Sequence, residues 1–407
     1  MQRRRSHRRP TARSRSVHER ASAFERSRPL RRRLAIVRQR YTPFGGAEVF
    51  VDRAIAALRE RGVDVAVLTR RWSGEPRQGV EVITLDPTHL GRTSRQAGFE
   101  RAVCAKVAQD PYLLVQSHER IPCCDIYRAG DGVHAVWLEE KTRHANALVR
   151  ALTYADPFHR YVLDAERRLY ASPRLKAVIC ISRMVQEEVH ANFGVPHERL
   201  PVIYNAIDTT VFSPALTGDR DVARQRAAIP ADAVVFLLVG SGYSRKGAAV
   251  ALRALARTPA SAHLVIVGRE KRQGHYRRLA RSLGIASRVT FAGPQRDPKP
   301  WYGIADAFIL PTLYDPLSNA VLEAMACGLP VITSRRCGAG ELVLQHDAGF
   351  VCDAWDVEAF AGSMQSLLDP ALRARHGAAA RAAVLPLTPQ AMAQELVALY
   401  ERLLDTA

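Results

Sequence analysis

No run of eighteen or more apolar residues occurs in the 407-residue chain, so no helical membrane span is expected. The N-terminus lacks the apolar core of a secretory signal, which points to a cytoplasmic protein. No Cys-x-x-Cys pair is present. The seven cysteines are scattered and odd in number, with Cys123 and Cys124 adjacent. Neither a disulfide framework nor a zinc site is implied, and the thiols read as reduced and structural. Acidic residues are scarce: 40 Asp and Glu face 59 Lys and Arg, for a net charge of +19. Residues 1–33 hold thirteen arginines against Glu19 and Glu25, so +11 sits in this arm and +8 in the rest. Such a balance favours anionic partners: nucleic acid, an anionic membrane face or an anionic glycolipid. The arm is polar, low in complexity and without helical period, so it reads as disordered. It is either an inert extension or an electrostatic tether.

The hydrophobic share, 47%, is ordinary for a chain that buries a core, and the length suits two to three domains. From Leu34 onward apolar strands alternate with amphipathic helices. Strands are expected at 34–38, 63–68, 80–85, 112–116 and 176–182, with a helix over 47–61 after the turn containing Gly45 and Gly46. A polar break at 205–214 precedes a second series. Its strands fall at 233–241, 263–267, 288–291, 307–310 and 330–333. Its helices fall near 248–257, 275–283, 318–327 and 357–368. A last helix, 389–404, carries Met392, Leu396, Leu399 and Leu403 on one face. Alternation of this kind gives parallel sheets covered by helices. The expected fold is α/β: two Rossmann-like, doubly wound parallel-sheet domains facing a central cleft. The divisions are a disordered arm (1–33), a first domain (34–210), a second (211–388) and a C-terminal helix (389–407) packing back toward the first domain.

Gly240-Ser241-Gly242-Tyr243-Ser244-Arg245-Lys246-Gly247 follows a strand and opens a helix. Its glycines let backbone N–H groups approach an anion, and Arg245 and Lys246 add charge. A dinucleotide fingerprint fits poorly, because the third glycine falls late and no acid stands where a ribose would be held. A diphosphate fits better. Between Leu310 and Thr333 the chain reads as strand, polar loop, helix start, glycine stop and strand, with Asp315 and Glu323 flanking the loop-to-helix junction. Glu323 is either a helix-face charge or a buried acceptor for hydroxyls; the surrounding Pro-Leu-Ser-Asn loop favours the second. Free N–H groups at a helix start attract anions, and nearby acids grip hydroxyls. Phosphate and polyol handled together suggest a nucleotide-sugar. His118, after the strand at 112–116, and Asp131, between two glycines, are candidates for the reacting face, with His134 a third. Each has an ordinary alternative: a surface imidazole or a turn residue. Asp219-Arg220-Asp221 lies beside no strand end and reads as solvated charge, so no metal site is expected.

The stretch Asp315-x7-Glu323 with Ala324-Met325-Ala326-Cys327-Gly328-Leu329-Pro330-Val331-Ile332 resembles the E-x7-E signature of retaining glycosyltransferases of family 4, which have the GT-B fold. Aspartate stands where the family usually has its first glutamate. Asp125–His134, Ile181–Val185, Val202–Asp208 and Ser244–Gly247 resemble the lipopolysaccharide-core glucosyltransferase I branch. The resemblance runs over roughly residues 34–405. It implies that Glu323 holds the ribose hydroxyls and Asp315 the donor sugar. It further implies that backbone amides at Leu317, Ser318 and Asn319 cap sugar or phosphate. Arg245 and Lys246 would neutralise the diphosphate, and Gly45 and Gly46 would let a first-domain loop close over it. It places His118 or Asp131, with Lys246 and Asp315, at the reaction centre, and uridine on the donor. No cofactor is implied, the nucleotide-sugar being a co-substrate, and charge on the leaving group would be met without a metal.

The implied acceptor is a lipid-linked saccharide, the lipopolysaccharide core, reached at the cytoplasmic face of the inner membrane. Basic stretches suit that setting: Arg92, Arg95, Arg101 and Lys106 around Phe99, and Trp137, Lys141, Arg143 and Arg150 around Leu148 and Val149. Two other readings compete: a nucleotide-sugar 2-epimerase of the same architecture and an Arg-arm nucleic-acid binder. The folded part shows no nucleic-acid module, so no specific nucleic acid is expected.

Overall fold

The structure, a computed structural model, describes residues 33–41, 63–74, 80–218 and 220–405. The arm up to residue 32, Gly45, Gly46 and the helix expected over 47–61 lie outside these residues. The first sheet contains β1 (Arg33–Val37), β2 (Asp64–Thr69), β3 (Val80–Thr84), β4 (Leu114–Ser117), β5 (Ile126–Ala129) and β6 (Ala177–Cys180). The second contains β7 (Val234–Val239), β8 (Ala262–Val267), β9 (Val289–Gly293), β10 (Ala307–Leu310), β11 (Val331–Ser334) and β12 (Gly349–Cys352). All pairs within both sheets are parallel. The strand orders are β3-β2-β1-β4-β5-β6 and β9-β8-β7-β10-β11-β12, the same winding twice. Each order reverses once, between β1 and β4 and between β7 and β10. Loops leaving the strand C-termini diverge at such a reversal and open a crevice for a ligand.

The central strands are buried on both faces, as a parallel sheet covered by helices requires, while the edge strands β3 and β9 are half-buried and β3 exposes Glu81 and Thr84. Ala35 and Val37 of β1 face one core, while Leu34 and Ile36 face another. That second core is completed by the C-terminal helix Pro389–Asp405, whose Met392, Leu396, Leu399, Tyr400 and Leu403 cover the first sheet. Each such apolar side chain contributes roughly 1.5–3 kcal/mol on burial, which holds the chain's last helix on its first domain. The segment before β7 docks on the second domain. Arg224, buried, pairs with Asp306 at 2.6 Å, and Asp306 also accepts the Val235 N–H at 2.7 Å. Asp221 remains exposed.

One expectation fails. Cys104 and Cys123 form a disulfide, with Cα atoms 5.6 Å apart. They stand 19 positions apart in sequence, and only the packing of the helix Gly91–Gln109 beside the loop after β4 brings them together. The other five cysteines are buried free thiols.

Candidate functional site

The loops after β7 and β10 flank the reversal in the second sheet and are tied to each other. The Leu313 N–H and the Thr312 hydroxyl both donate to the Arg245 carbonyl, at 2.8 and 3.0 Å. Gly247 adopts φ +73°, and a Cβ there would lie 1.8 Å from the Pro311 carbonyl oxygen, so only glycine permits this approach. A Cβ on Gly240 would meet the Lys246 stem at 2.9 Å. Its absence lets the lysine turn back under the loop.

Lys246 Nζ donates to Asp315 Oδ2 at 2.5 Å, and both residues are buried. Arg245 lies 3.6 Å from the same carboxylate and donates to the Tyr314 carbonyl at 3.1 Å. Ser318 precedes the helix Asn319–Ala326 without a side-chain cap, leaving the first N–H groups of the helix for a ligand. One turn on, Glu323 accepts the Tyr302 hydroxyl at 2.6 Å. Burial pushes its carboxyl up to about 7, against the pull of Tyr302 and Lys246. Arg245, Lys246, Asp315, Leu317, Ser318, Asn319 and Glu323 line one cleft of about 490 Å³.

The first domain supplies the opposite wall. Arg128, buried on β5, donates to the Asn205 side-chain carbonyl at 2.5 Å. Asn205 donates to Asn319 Oδ1 at 2.8 Å, at the start of the helix that carries Glu323. Neither Arg128 nor Asn205 has a role assigned from sequence, although both fall inside the resembling stretches. Tyr302 and Tyr314 are likewise new. The Tyr314 hydroxyl donates to Glu188 at 2.6 Å and accepts the Val133 N–H at 2.8 Å, joining the two domains. Ser182 donates to the Pro316 carbonyl, and Glu341 accepts the N–H groups of Arg183 and Met184 at a helix start. Burial pushes Glu188 up to about 7.

His118, Asp131 and His134 do not line this cleft. His118 follows β4 at the reversal of the first sheet, its N–H bonded to Val37. Its ring is buried, 3.2 Å from Gln116 Nε2. Burial, then Arg128 and Arg38, hold its pKa well below the usual range. Asp131 is exposed and lies 3.4 Å from Arg120, with Gly130 rather than Asp131 lining the cleft. The His134 ring lies 3.0 Å from that of His159, and burial pushes its pKa down to about 3. Gly45 and Gly46 fall outside the described residues. Among the described residues no three His, Cys, Asp or Glu side chains gather as a metal cage.

The "Glycosyltransferase Family 4" model matches residues 44–211 and "Glycosyl transferases group 1" matches 219–383. The chain is 35% identical over 334 residues to the lipopolysaccharide core biosynthesis glycosyltransferase LpsE of Rhizobium meliloti (strain 1021), covering 81% of this chain and 88% of the relative. It is 30% identical over 391 residues to the D-inositol 3-phosphate glycosyltransferase of Rhodococcus opacus (strain B4), covering 85% and 84%. The lipopolysaccharide glucosyltransferase WaaG of Escherichia coli (strain K12) is 25% identical over 317 residues, covering 77% and 83%. A crystal structure of WaaG matches the fold with TM-score 0.74 at 24% identity, covering 89% of this chain and 99% of that one.

Proposed function

The chain belongs to the GT-B glycosyltransferases with a family 4 first domain and a group 1 second domain, and we propose that it transfers glucose from UDP-glucose to a lipid-linked saccharide of the lipopolysaccharide-core kind, with retention of configuration. One observation carries this reading. A buried lysine–aspartate pair with an arginine beside it shares a cleft with an uncapped helix start and a desolvated glutamate.

Breaking the sugar–phosphate bond puts negative charge on the departing diphosphate and positive charge on the sugar. Lys246, Arg245 and the first N–H groups of the helix at Asn319 are placed to stabilise the former, without a metal. Asp315 orients Lys246 and receives hydroxyls of the sugar. Glu323 accepts the ribose hydroxyls. The departing phosphate oxygen then takes the acceptor proton on the same face of the sugar. Arg128 and Asn205 bring the first domain onto the donor helix.

For the membrane, the helix Ala147–Ala155 buries none of its residues, and Leu148 and Leu152 are 68% and 63% exposed. With Arg150 beside them, these side chains form an interfacial face. The Phe99 stretch does not serve, because Phe99 is buried and Arg92 lies over the Phe158 ring at 4.6 Å. Trp137 also turns inward, toward Tyr314.

The test is thermal shift across nucleotide-sugars, followed by NMR of the product's anomeric configuration. Stabilisation by UDP-glucose and a retained anomer support the proposal. A shift with other donors only, or an inverted product, refutes it. Conversion of the sugar without acceptor would favour the epimerase, and preference for an inositol phosphate acceptor would follow the Rhodococcus relative instead.

A further inference from the structure

A second groove, of about 690 Å³, lies on the other side of the Gly240–Gly247 loop. Successive residues of that loop serve the two spaces: Ser244 and Gly247 line the groove, while Arg245 and Lys246 line the donor cleft. Arg253, Lys271, Arg272, His275 and Arg278 surround the groove, and Trp355 forms one wall. No carboxylate is among the described residues that line it. The nearby acids are committed elsewhere. Glu270 accepts the N–H groups of Tyr243 and Arg272, and Asp353 pairs with Arg143 at 2.7 Å.

The local field deepens this positive potential. The helix Gln273–Ser282 starts beside Lys271 and Arg272 with no acid in its first turn. Cations at the positive end of a helix repel it, and a bound anion relieves the repulsion. Trp355 meets the His144 ring of the first domain at 4.8 Å. The groove therefore opens where the two domains meet, close to the exposed helix Ala147–Ala155.

We propose that this groove binds the phosphate groups of a phosphorylated glycolipid acceptor, so that a neighbouring sugar hydroxyl reaches the donor cleft past the Ser244–Gly247 loop. The inference rests on the reading of a lipid-linked saccharide acceptor. Phosphates supply the negative charge that the four Lys and Arg side chains of the groove are without, and the tryptophan suits an adjoining sugar ring.

The test uses the full chain and the triple variant Arg253→Ser, Arg272→Ser, Arg278→Ser, whose side chains are exposed. The probe is bisphosphorylated lipid A in phosphatidylcholine vesicles, compared with monophosphorylated lipid A and with phosphatidylglycerol vesicles of matched charge. Wild type is expected to prefer the bisphosphorylated probe. The variant is expected to lose this preference, weakening by at least about tenfold, while a Lys triple restores it. Equal losses on phosphatidylglycerol would reduce the groove to a general anionic surface and overturn the proposal. So would unchanged lipid A binding by the variant, or failure of inorganic tripolyphosphate to compete with lipid A for the wild type. UDP-glucose thermal shift is measured on the same samples. Its absence in wild type would sink the donor reading alone, because lipid A binding does not require the donor.

Discussion

Replacing Glu323 by Gln tests the donor site and the energetics of its burial together. The Glu323 carboxyl is raised from 4.5 to about 7, mainly by burial. The folded protein therefore holds a proton between those values that the unfolded chain has released. Stability should fall as pH rises through this window, and the full penalty should be present above it. The size is about 3 kcal/mol as an upper bound, since each pKa step is worth about 1.4 kcal/mol. Glutamine keeps an acceptor for the Tyr302 hydroxyl, now 2.6 Å away, so the fold should survive. The variant should be the more stable protein at alkaline pH and lack this part of the pH slope in urea denaturation. Donor binding should move the opposite way. An ionised carboxylate accepts two ribose hydroxyls, whereas an amide offers one acceptor and one donor. Losing one charge-assisted hydrogen bond, about 1.5–3 kcal/mol, corresponds to about a 10- to 150-fold rise in KM. Wild-type KM should also rise as pH falls below about 7, and the variant's KM should not. An unchanged KM in the variant, or the same stability slope with pH in both proteins, would refute the reasoning.

Three further outcomes follow from the contacts. Lys246→Met should abolish transfer and lower stability by about 3 kcal/mol, because Asp315 stays buried after losing its amine; adding Asp315→Asn should restore the melting temperature but not the activity. Tyr314→Phe removes the hydroxyl that joins Glu188 and Val133, and urea denaturation should show a loss of about 1–3 kcal/mol. Leu148→Ser with Val149→Ser and Leu152→Ser should weaken sedimentation with phosphatidylglycerol vesicles. It should leave the melting temperature nearly unchanged, since these three side chains are exposed.

What the sequence disclosed follows from how each element meets its surroundings. Strands buried on both faces read as continuous apolar runs, so Val234–Val239 and Ala262–Val267 are legible. Ile126–Ala129 is not, because Arg128 interrupts the run to reach the cleft. The helix Gly91–Gln109 dilutes its buried Phe99, Val103 and Val107 with exposed basic residues. The residues of the proposed donor cleft in the second domain are legible because the Gly240–Gly247 loop and the loop-to-helix junction at 315–323 carry them. Arg128 and Asn205 reach the same cleft from another domain, and no spacing along the chain encodes that approach.

The Gly130-Asp131-Gly132 block shows the same limit more sharply. In sequence the charged residue attracts attention, as a group for the reacting face. In the structure Asp131 is exposed beside Arg120, and Gly132 makes the demanding contact. At φ +65° it leaves room for the Tyr314 hydroxyl, which a Cβ would approach to 2.0 Å. Any larger residue at 132 would push Tyr314 off the Val133 N–H and strand Glu188 without its hydroxyl donor. Tyr314 sits next to Asp315, the partner of Lys246, so domain contact and donor grip share one short segment. A Gly132→Ala protein should therefore lose donor affinity although residue 132 touches no donor group. Intact UDP-glucose binding in that variant would show the two functions of the segment to be separable.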